Sequence, residues 1–272
     1  MLRQKCPVNR RMFHENNHSG LIYMNSDVLG VKNAFTTRFG GVSTGIFASL
    51  NLGSNIGDPQ ENVAENYRRV CAVMGAGIND CAVTKQVHGG EVRIVTEADR
   101  HVCGEDIPYA ADGIVTEVKG MPLMCFTADC TPVLLSDPVH GIAAAVHCGW
   151  RGSCADIIAN AVDAMCSLGA TAEEIRAAMG PAIGGCCFET DADVPKAVDA
   201  WIGEKNGCWS RREDGKYLVD LRRANALRLR QKGILPEHID ISEECTMCSH
   251  EKYWSHRYTR GKRGVQCAAI VL

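Results

Sequence analysis

Three short stretches place ionisable, metal-capable side chains inside or just after apolar runs: Gln86-Val87-His88-Gly89, Thr127-Ala128-Asp129-Cys130-Thr131-Pro132 and Val146-His147-Cys148-Gly149-Trp150-Arg151-Gly152. Such runs read as buried strands, where a polar group without a partner costs free energy. Three such intrusions in one chain predict that His88, Cys130 and His147 meet in space. Two imidazoles and a thiolate form a zinc shell with one position open, the arrangement of catalytic rather than structural zinc. Copper accepts the same donors, so ligand type alone leaves both metals open. No methionine is evident as an axial ligand, which argues against an electron-transfer copper site.

The neighbours of these residues extend the chemistry. Asp129 lies in the most apolar stretch of the chain, so its carboxylate must be paired or protonated; it is read as a proton carrier, against a structural Asp bonded to backbone amides. Cys130 with His147 also fits a nucleophile and its base. Gln86, two residues before His88, shares its strand face and is placed to orient a ligand. Gly89-Gly90 lets the backbone approach a ligand closely. Arg151 follows a strand and opens a helix, where free amides and a planar cation suit phosphate or carboxylate. Ser153 and Asp156 resemble a capping box with Asp in place of Glu. Cys148 faces away from His147 if the strand is regular.

The chain has 272 residues, 46% hydrophobic, a net charge of -3 and 15 cysteines. Length and composition allow a full core. The charge gives no footprint for nucleic acid or an anionic membrane. The Lys252 to Arg263 stretch, basic and aromatic, reads as a solvated rim or an anion-binding loop. The polar amino terminus lacks the apolar segment of a signal peptide, and no run is long enough to span a bilayer. The expectation is a soluble cytoplasmic protein, without nucleic-acid or membrane partners, as a monomer or weak homo-oligomer. In a reducing compartment a disulfide framework is not expected, and Cys71, Cys81, Cys154 and Cys166 read as small buried hydrophobes. Cys245-x-x-Cys248 is half of a zinc or redox site and lacks a second Cys-x-x-Cys. The adjacent Cys186-Cys187 reads as turn packing, unable to chelate one metal easily.

The elements that must position these groups are short and irregularly ordered. Strands are expected over 32–37, 81–87, 92–96, 111–116, 141–147, 175–179, 239–241 and 266–270, with an apolar run over 121–136. Helices are expected over 58–74, 153–168, 191–201 and 221–232, from apolar residues at helical spacing. Strands outnumber helices without regular alternation, so the class is α+β: one mixed-sheet domain with helices packed on the sheets. Residues 1–29 are set apart as an amino-terminal extension to a domain of residues 30–272. Gly180-Pro181-Ala182-Ile183-Gly184-Gly185 lacks dinucleotide-fingerprint spacing, and no phosphate-binding Walker loop is present.

Several motifs occur together and in order: Arg38-Phe39-Gly40-Gly41-Val42-Ser43, Ser49-Leu50-Asn51-Leu52-Gly53, Gln86-Val87-His88-Gly89, Ala111-Asp112-Gly113, Ala128-Asp129-Cys130 before Pro132-Val133, His147 before Gly149-Trp150-Arg151-Gly152, and Gly180-Pro181-Ala182-Ile183-Gly184. With these the chain resembles, over roughly residues 30 to 270, the YfiH family, also called the laccase-domain, multicopper polyphenol oxidoreductase or peptidoglycan editing factor family. The resemblance implies a single α+β domain, grouped with cytotoxic necrotizing factor among cysteine hydrolases. It implies metal ligation by His88, Cys130 and His147, with zinc, or copper, as the cofactor. It implies purine nucleoside chemistry: phosphorolysis of adenosine, inosine and methylthioadenosine, and deamination of adenosine. Here Asp129, Cys130 and Arg38 are expected to be catalytic, with Arg151, Gln86 and Asn51 binding the nucleoside and phosphate. The alternatives are a copper-dependent polyphenol oxidase, a cysteine hydrolase or peptidoglycan editing factor, and a non-enzymatic zinc-stabilised binding protein. Two departures stand out: Cys148 where family members often carry Ala, and Tyr253-Trp254-Ser255-His256-Arg257-Tyr258 in place of the commoner Ser-Tyr-Arg-Arg pattern.

Overall fold

The central strands are buried on both faces, which fits two sheets stacked face to face with helices outside them. The structure is a computed structural model that describes residues 13–101, 106–107 and 109–272. One sheet runs in the order β1 (Phe13–His18), β2 (Leu21–Ser26), β3 (Lys32–Thr36), β14 (Gln266–Val271), β6 (Leu123–Thr127). The other runs β13 (Ile239–Ile241), β9 (Arg176–Met179), β7 (Thr131–Asp137), β8 (Ile142–Cys148), β5 (Gly113–Thr116), β4 (Val92–Ile94). A small third sheet joins β10 (Glu189–Thr190), β12 (Tyr217–Val219) and β11 (Trp209–Arg211).

Side chains of a strand point to opposite faces in turn, and the packing follows that rule. On β14, Ala268 and Ile270 face the second sheet, where they meet Leu134 and Ala145. Cys267, Ala269 and Val271 face Val70, Cys71 and Met74 of α1 (Gln60–Met74). On β8, Ile142, Ala144, Val146 and Cys148 pack against Ile158, Ala161 and Met165 of α3 (Ile157–Ser167), leaving Ala143 and Ala145 for the space between the sheets. The result is four layers, helix–sheet–sheet–helix, completed by α2 (Trp150–Cys154), α4 (Asp193–Ile202), α5 (Leu221–Gln231) and α6 (His256–Thr259). This is the α+β, mixed-sheet architecture expected from the sequence.

Five local expectations are corrected. The apolar run over 121–136 is two strands, β6 and β7, which belong to different sheets and are joined by a turn at Ala128–Cys130. Residues 81–87 form no continuous strand; only Ala82 and Lys85 make isolated bridges. The helix over 153–168 is broken, because Asp156 adopts a left-handed φ of 66° between α2 and α3. Its carboxylate makes no capping box and instead accepts from Arg228 and Trp201. Cys71 and Cys81 are buried, but Cys166 is exposed and Cys154 half-buried. The amino-terminal residues set apart as an extension supply β1 and β2, and β2 pairs with β3; residues 1–12 lie outside the described residues.

Candidate active site

The two sheets end together at one side of the sandwich. Thr131 opens β7 opposite Cys148, which closes β8. Gln266 opens β14 opposite Thr127, which closes β6. The turn between β6 and β7 therefore crosses from one sheet to the other at the point where β8 ends. Asp129 takes a φ of 91° there, a bend that a regular strand could not provide. The bend lets Cys130 reach His147, which sits on the inner face of β8 by its register with Ala143 and Ala145. His88 arrives from the loop before β4, also with a left-handed φ, of 61°.

The ligand atoms of His88, Cys130 and His147 all lie within 4.8 Å of one another. The two imidazole rings meet edge-on with centroids 4.8 Å apart. Gly149 makes this convergence feasible, because a Cβ there would stand 3.0 Å from His88 Cδ2 and 3.4 Å from Cys130 Sγ. His147 is buried, Cys130 half-buried and His88 exposed, so the group is closed beneath and open above.

Asp112 organises the group, and the sequence reading gave it no role beyond a motif. It is buried just before β5. One oxygen bonds His147 Nδ1 at 2.7 Å and accepts the His88 amide at 2.9 Å. The other accepts the amides of Val87 and Gly89. A carboxylate on Nδ1 leaves Nε2 for a metal and fixes the ring, the recurring carboxylate–histidine–metal device. Burial opposes the Asp112 charge, but the bonds from His147, Gly89 and Val87 outweigh it and hold the carboxyl below its ordinary range. Burial likewise opposes a thiolate at Cys130, yet His147 and His88 pull its pKa down to about 6. Burial opposes an imidazolium at His147, yet Cys130 and Asp112 raise it to about 9. The site thus stabilises a positive charge between thiolate and carboxylate. A divalent cation can take the place of that proton, so the donor set fits a metal ion.

Above the group lies a cavity of about 400 Å³. Its walls are apolar: Phe126, Ile183, Phe188, Leu221 and Val265. Its polar lining includes Gln86, Thr127, His256, Arg257 and Arg263. Asp129 also reaches the cavity, but its carboxylate accepts from the Thr246 hydroxyl and the Arg257 amide, both at 2.6 Å. Gln86 lines the cavity while its amide group is bonded to the Phe126 backbone at both ends. The remaining expected site residues stand elsewhere. Arg151 is exposed and lies over the Trp150 ring, 4.4 Å from its centroid. Arg38 lies over Trp254 and donates to the carbonyls of Ala48 and His250. Asn51 is buried and bonded to Asp58, Gly53 and Val265.

In their place the structure brings two arginines of the carboxyl-terminal basic stretch to the cavity. Arg257 is fixed by its backbone on Asp129 and by its guanidinium on the Glu189 carbonyl, 2.9 Å away. Arg263 stands with its Nη2 3.4 Å from His256 Nδ1. Its Nε is buried and without a hydrogen-bond partner, as is Thr127 Oγ1. Burial lowers the Arg263 pKa while the Asp129 and Cys130 charges raise it, burial dominating. The reading of Lys252 to Arg263 as an anion-binding loop contained this signal without singling out a residue.

A two-sheet α+β sandwich with a His-Cys-His group where its strands end defines a class of protein, and the comparisons agree on which. The chain matches the family described as multi-copper polyphenol oxidoreductase laccase over residues 32–272, and it belongs to this laccase-domain, or YfiH, family. Purine nucleoside phosphorylase YlmD of Geobacillus stearothermophilus is 34% identical over 250 residues, covering 89% of this chain and 90% of that protein. A purine nucleoside phosphorylase of Deinococcus radiodurans is 36% identical over 254 residues, covering 93% and 94%. The crystal structure of the Geobacillus YlmD superposes with a TM-score of 0.90 at 31% identity, covering 96% of this chain and 98% of that one. The Bacillus licheniformis protein YfiH gives a TM-score of 0.89 at 30% identity over the same shares.

Proposed function

We propose that this chain is a zinc-dependent purine nucleoside phosphorylase acting on adenosine, inosine and methylthioadenosine, and that it also deaminates adenosine. The observation that carries the reading is the pair of orphaned donors, Arg263 Nε and Thr127 Oγ1, buried in the lining of the cavity that holds the His88–Cys130–His147 group. Buried polar groups find partners in native proteins, so an acceptor-rich ligand is expected against them. Phosphate supplies one. The relatives named as purine nucleoside phosphorylases support the same class of substrate.

In this reading His88, Cys130 and His147 hold the metal, and Asp112 orients the His147 ring and holds the loop that carries His88. The metal, when bound, supplies Lewis acidity at the position left open towards the cavity. Arg263, Arg257 and His256 hold phosphate, and Phe126, Phe188 and Ile183 enclose the purine and exclude water, which strengthens the charge interactions inside. A phosphate oxygen bonds the ribose carbon as the bond to the purine breaks, and the purine leaves with that electron pair. Asp129 keeps Arg257 in place through its two hydrogen bonds. A second reading, a cysteine hydrolase, is favoured by the line Asp112–His147–Cys130, which has the form of an orienting carboxylate, a base and a nucleophile.

The test is incubation of zinc-loaded protein with each nucleoside, with and without phosphate. Free base and ribose 1-phosphate appearing only with phosphate are the expected products. Inosine formed from adenosine without phosphate supports the deaminase half. Unchanged nucleosides under both zinc and copper loading would exclude the reading, and oxygen uptake with a phenol under copper would favour the oxidase instead.

A further inference from the structure

Four of the cysteines that the site does not use come together behind the cavity wall. Cys186 and Cys187 lie in the turn after Gly185, and Cys245 and Cys248 in the turn after β13. The four sulfurs all lie within 4.8 Å of one another. Cys248 Sγ is 3.7 Å from Cys186 Sγ and 3.4 Å from Cys187 Sγ. In a tetrahedral tetrathiolate with metal–sulfur bonds of about 2.3 Å, neighbouring sulfurs are ~3.8 Å apart. These two separations fall just below that value and no pair of the four exceeds 4.8 Å, so closure on an ion needs little movement.

Adjacent cysteines in a strand would point to opposite faces, which is why the sequence reading set this pair aside. Here the amides of Cys187 and Phe188 both donate to the Gly184 carbonyl, at 2.9 Å. That tight turn puts both thiols on one side. The Gly184 amide donates to Cys245 Sγ at 3.2 Å. A backbone donor on a sulfur favours its ionised form and orients a thiolate ligand in a metal site. Gly184 is held close: a Cβ there would stand 3.2 Å from Cys186 Sγ and 3.4 Å from Cys245 Cβ.

We propose that Cys186, Cys187, Cys245 and Cys248 form a second, closed metal site, a structural tetrathiolate zinc centre distinct from the His88–Cys130–His147 group. Four soft donors in tetrahedral reach select zinc over hard cations, and four protein ligands leave no position for water. Binding exchanges the thiol protons for the ion: one Zn²⁺ enters, up to four protons leave, and no electron moves. The site joins two turns that already meet through the bridge of Ala182 with Cys245, the Thr246 amide on the Ala182 carbonyl and the Gly184 amide on Cys245 Sγ. The first turn carries Ile183 and Phe188 of the cavity wall; the second carries Thr246, which donates to Asp129. Zinc there fixes the wall of the cavity without touching its contents.

The proposal does not depend on the nucleoside reading, and its test needs no activity. Metal content and cobalt spectra are measured on the full chain, purified anaerobically with reductant. Wild type is expected to hold two zinc ions per chain. Cys130→Ala should keep one, and cobalt in that variant should give the sulfur-to-metal charge-transfer absorption of four thiolates. Cys186→Ser/Cys248→Ser, at two exposed positions, should lose one ion from wild type and the last one from Cys130→Ala. Far-UV circular dichroism checks that each variant is folded. The proposal is overturned if folded Cys130→Ala binds no zinc, or if the double serine change leaves the zinc count unaltered. Peptide mapping that finds Cys248 disulfide-linked to Cys186 or Cys187 in the anaerobic wild type also overturns it.

Discussion

At the level of single residues, the arginine that sequence favours and the arginine that lines the cavity differ in burial and in partners. Arg151 was the natural anion ligand from sequence, because it follows the strand of His147 and begins a helix. In the structure its guanidinium stacks on Trp150 in solvent. Arg263 instead presents a buried, unpaired Nε in the cavity lining. Hydrogen bonds to charged groups contribute about 1.5–3 kcal/mol. Arg263→Ala should therefore raise the KM for phosphate by about ten- to a hundredfold, while Arg151→Ala leaves it unchanged; phosphate titrations of phosphorolysis in the two variants measure both. The reverse pattern would return the anion site to Arg151. Cys130 offers a prediction about pH. Its folded pKa is lowered, to about 6, so the thiolate persists as pH falls from the ordinary thiol value of about 8.5 and is lost only through about 6. In metal-free protein the rate of Cys130 alkylation by iodoacetamide should reach half its plateau near that pH. His147→Asn should move the midpoint upward, and bound zinc should suppress the reaction. A wild-type midpoint near that of a free thiol would show that the two histidines do not stabilise the thiolate.

At the level of elements, Asp112 shows how loop and strands are registered to one another. Its carboxylate ties the 87–89 loop to His147 on β8 through three amides and one imidazole. Asn at this position keeps the shape but offers one acceptor oxygen and an NH₂ that cannot accept. Asp112→Asn should weaken zinc binding by about 10–100-fold, read by competition with a chelator, with the helix and sheet content unchanged. Undiminished affinity would mean that the histidines orient themselves. The three residues that converge could be picked out from sequence because His, Cys and His stand inside or just after apolar runs, a signal local to each stretch. Asp112 could not be ranked in the same way, since its work depends on amides 23 to 25 residues away. Strand and helix positions followed from periodicity wherever a segment was regular. The failures cluster where one residue takes a left-handed φ: Asp129 splits one apolar run into β6 and β7, and Asp156 splits one helix into α2 and α3. Hydrophobic pattern runs straight through such positions, because only the backbone changes direction. The pairing of Cys186-Cys187 with Cys245 and Cys248 was hidden for a related reason, since it depends on two turns brought together by tertiary packing.

At the level of the whole molecule, the site depends on a sandwich whose edge is built from the amino-terminal residues. His88, Cys130 and His147 come from a loop, a sheet-to-sheet crossing and a strand end, so their geometry is that of the stacked sheets. The sequence boundary at residue 30 and the family match from residue 32 both leave β1 and β2 outside. Yet Leu21, 1% exposed, packs in the layer under α1, and Met24, Val28 and Leu29, at 9%, 7% and 0%, pack between the sheets. Backbone bonds reinforce this: the Thr37 hydroxyl and amide donate to the Ile22 carbonyl, and the Ser136 hydroxyl on β7 donates to the Leu29 carbonyl. Fully burying an aliphatic side chain contributes about 1.5–3 kcal/mol, so losing these four would remove about 6–12 kcal/mol. Domain stabilities are only about 5–15 kcal/mol, and truncation would also expose the backbone edge of β3, an invitation to aggregation. A chain begun at residue 30 should therefore be insoluble or unfolded, seen as loss of the cooperative thermal transition and of zinc at the His88–Cys130–His147 group. If residues 30–272 instead melt cooperatively and bind that zinc as tightly as the full chain, the hairpin is an appendage, and the six-stranded sheet with β3, β14 and β6 suffices to place the ligands.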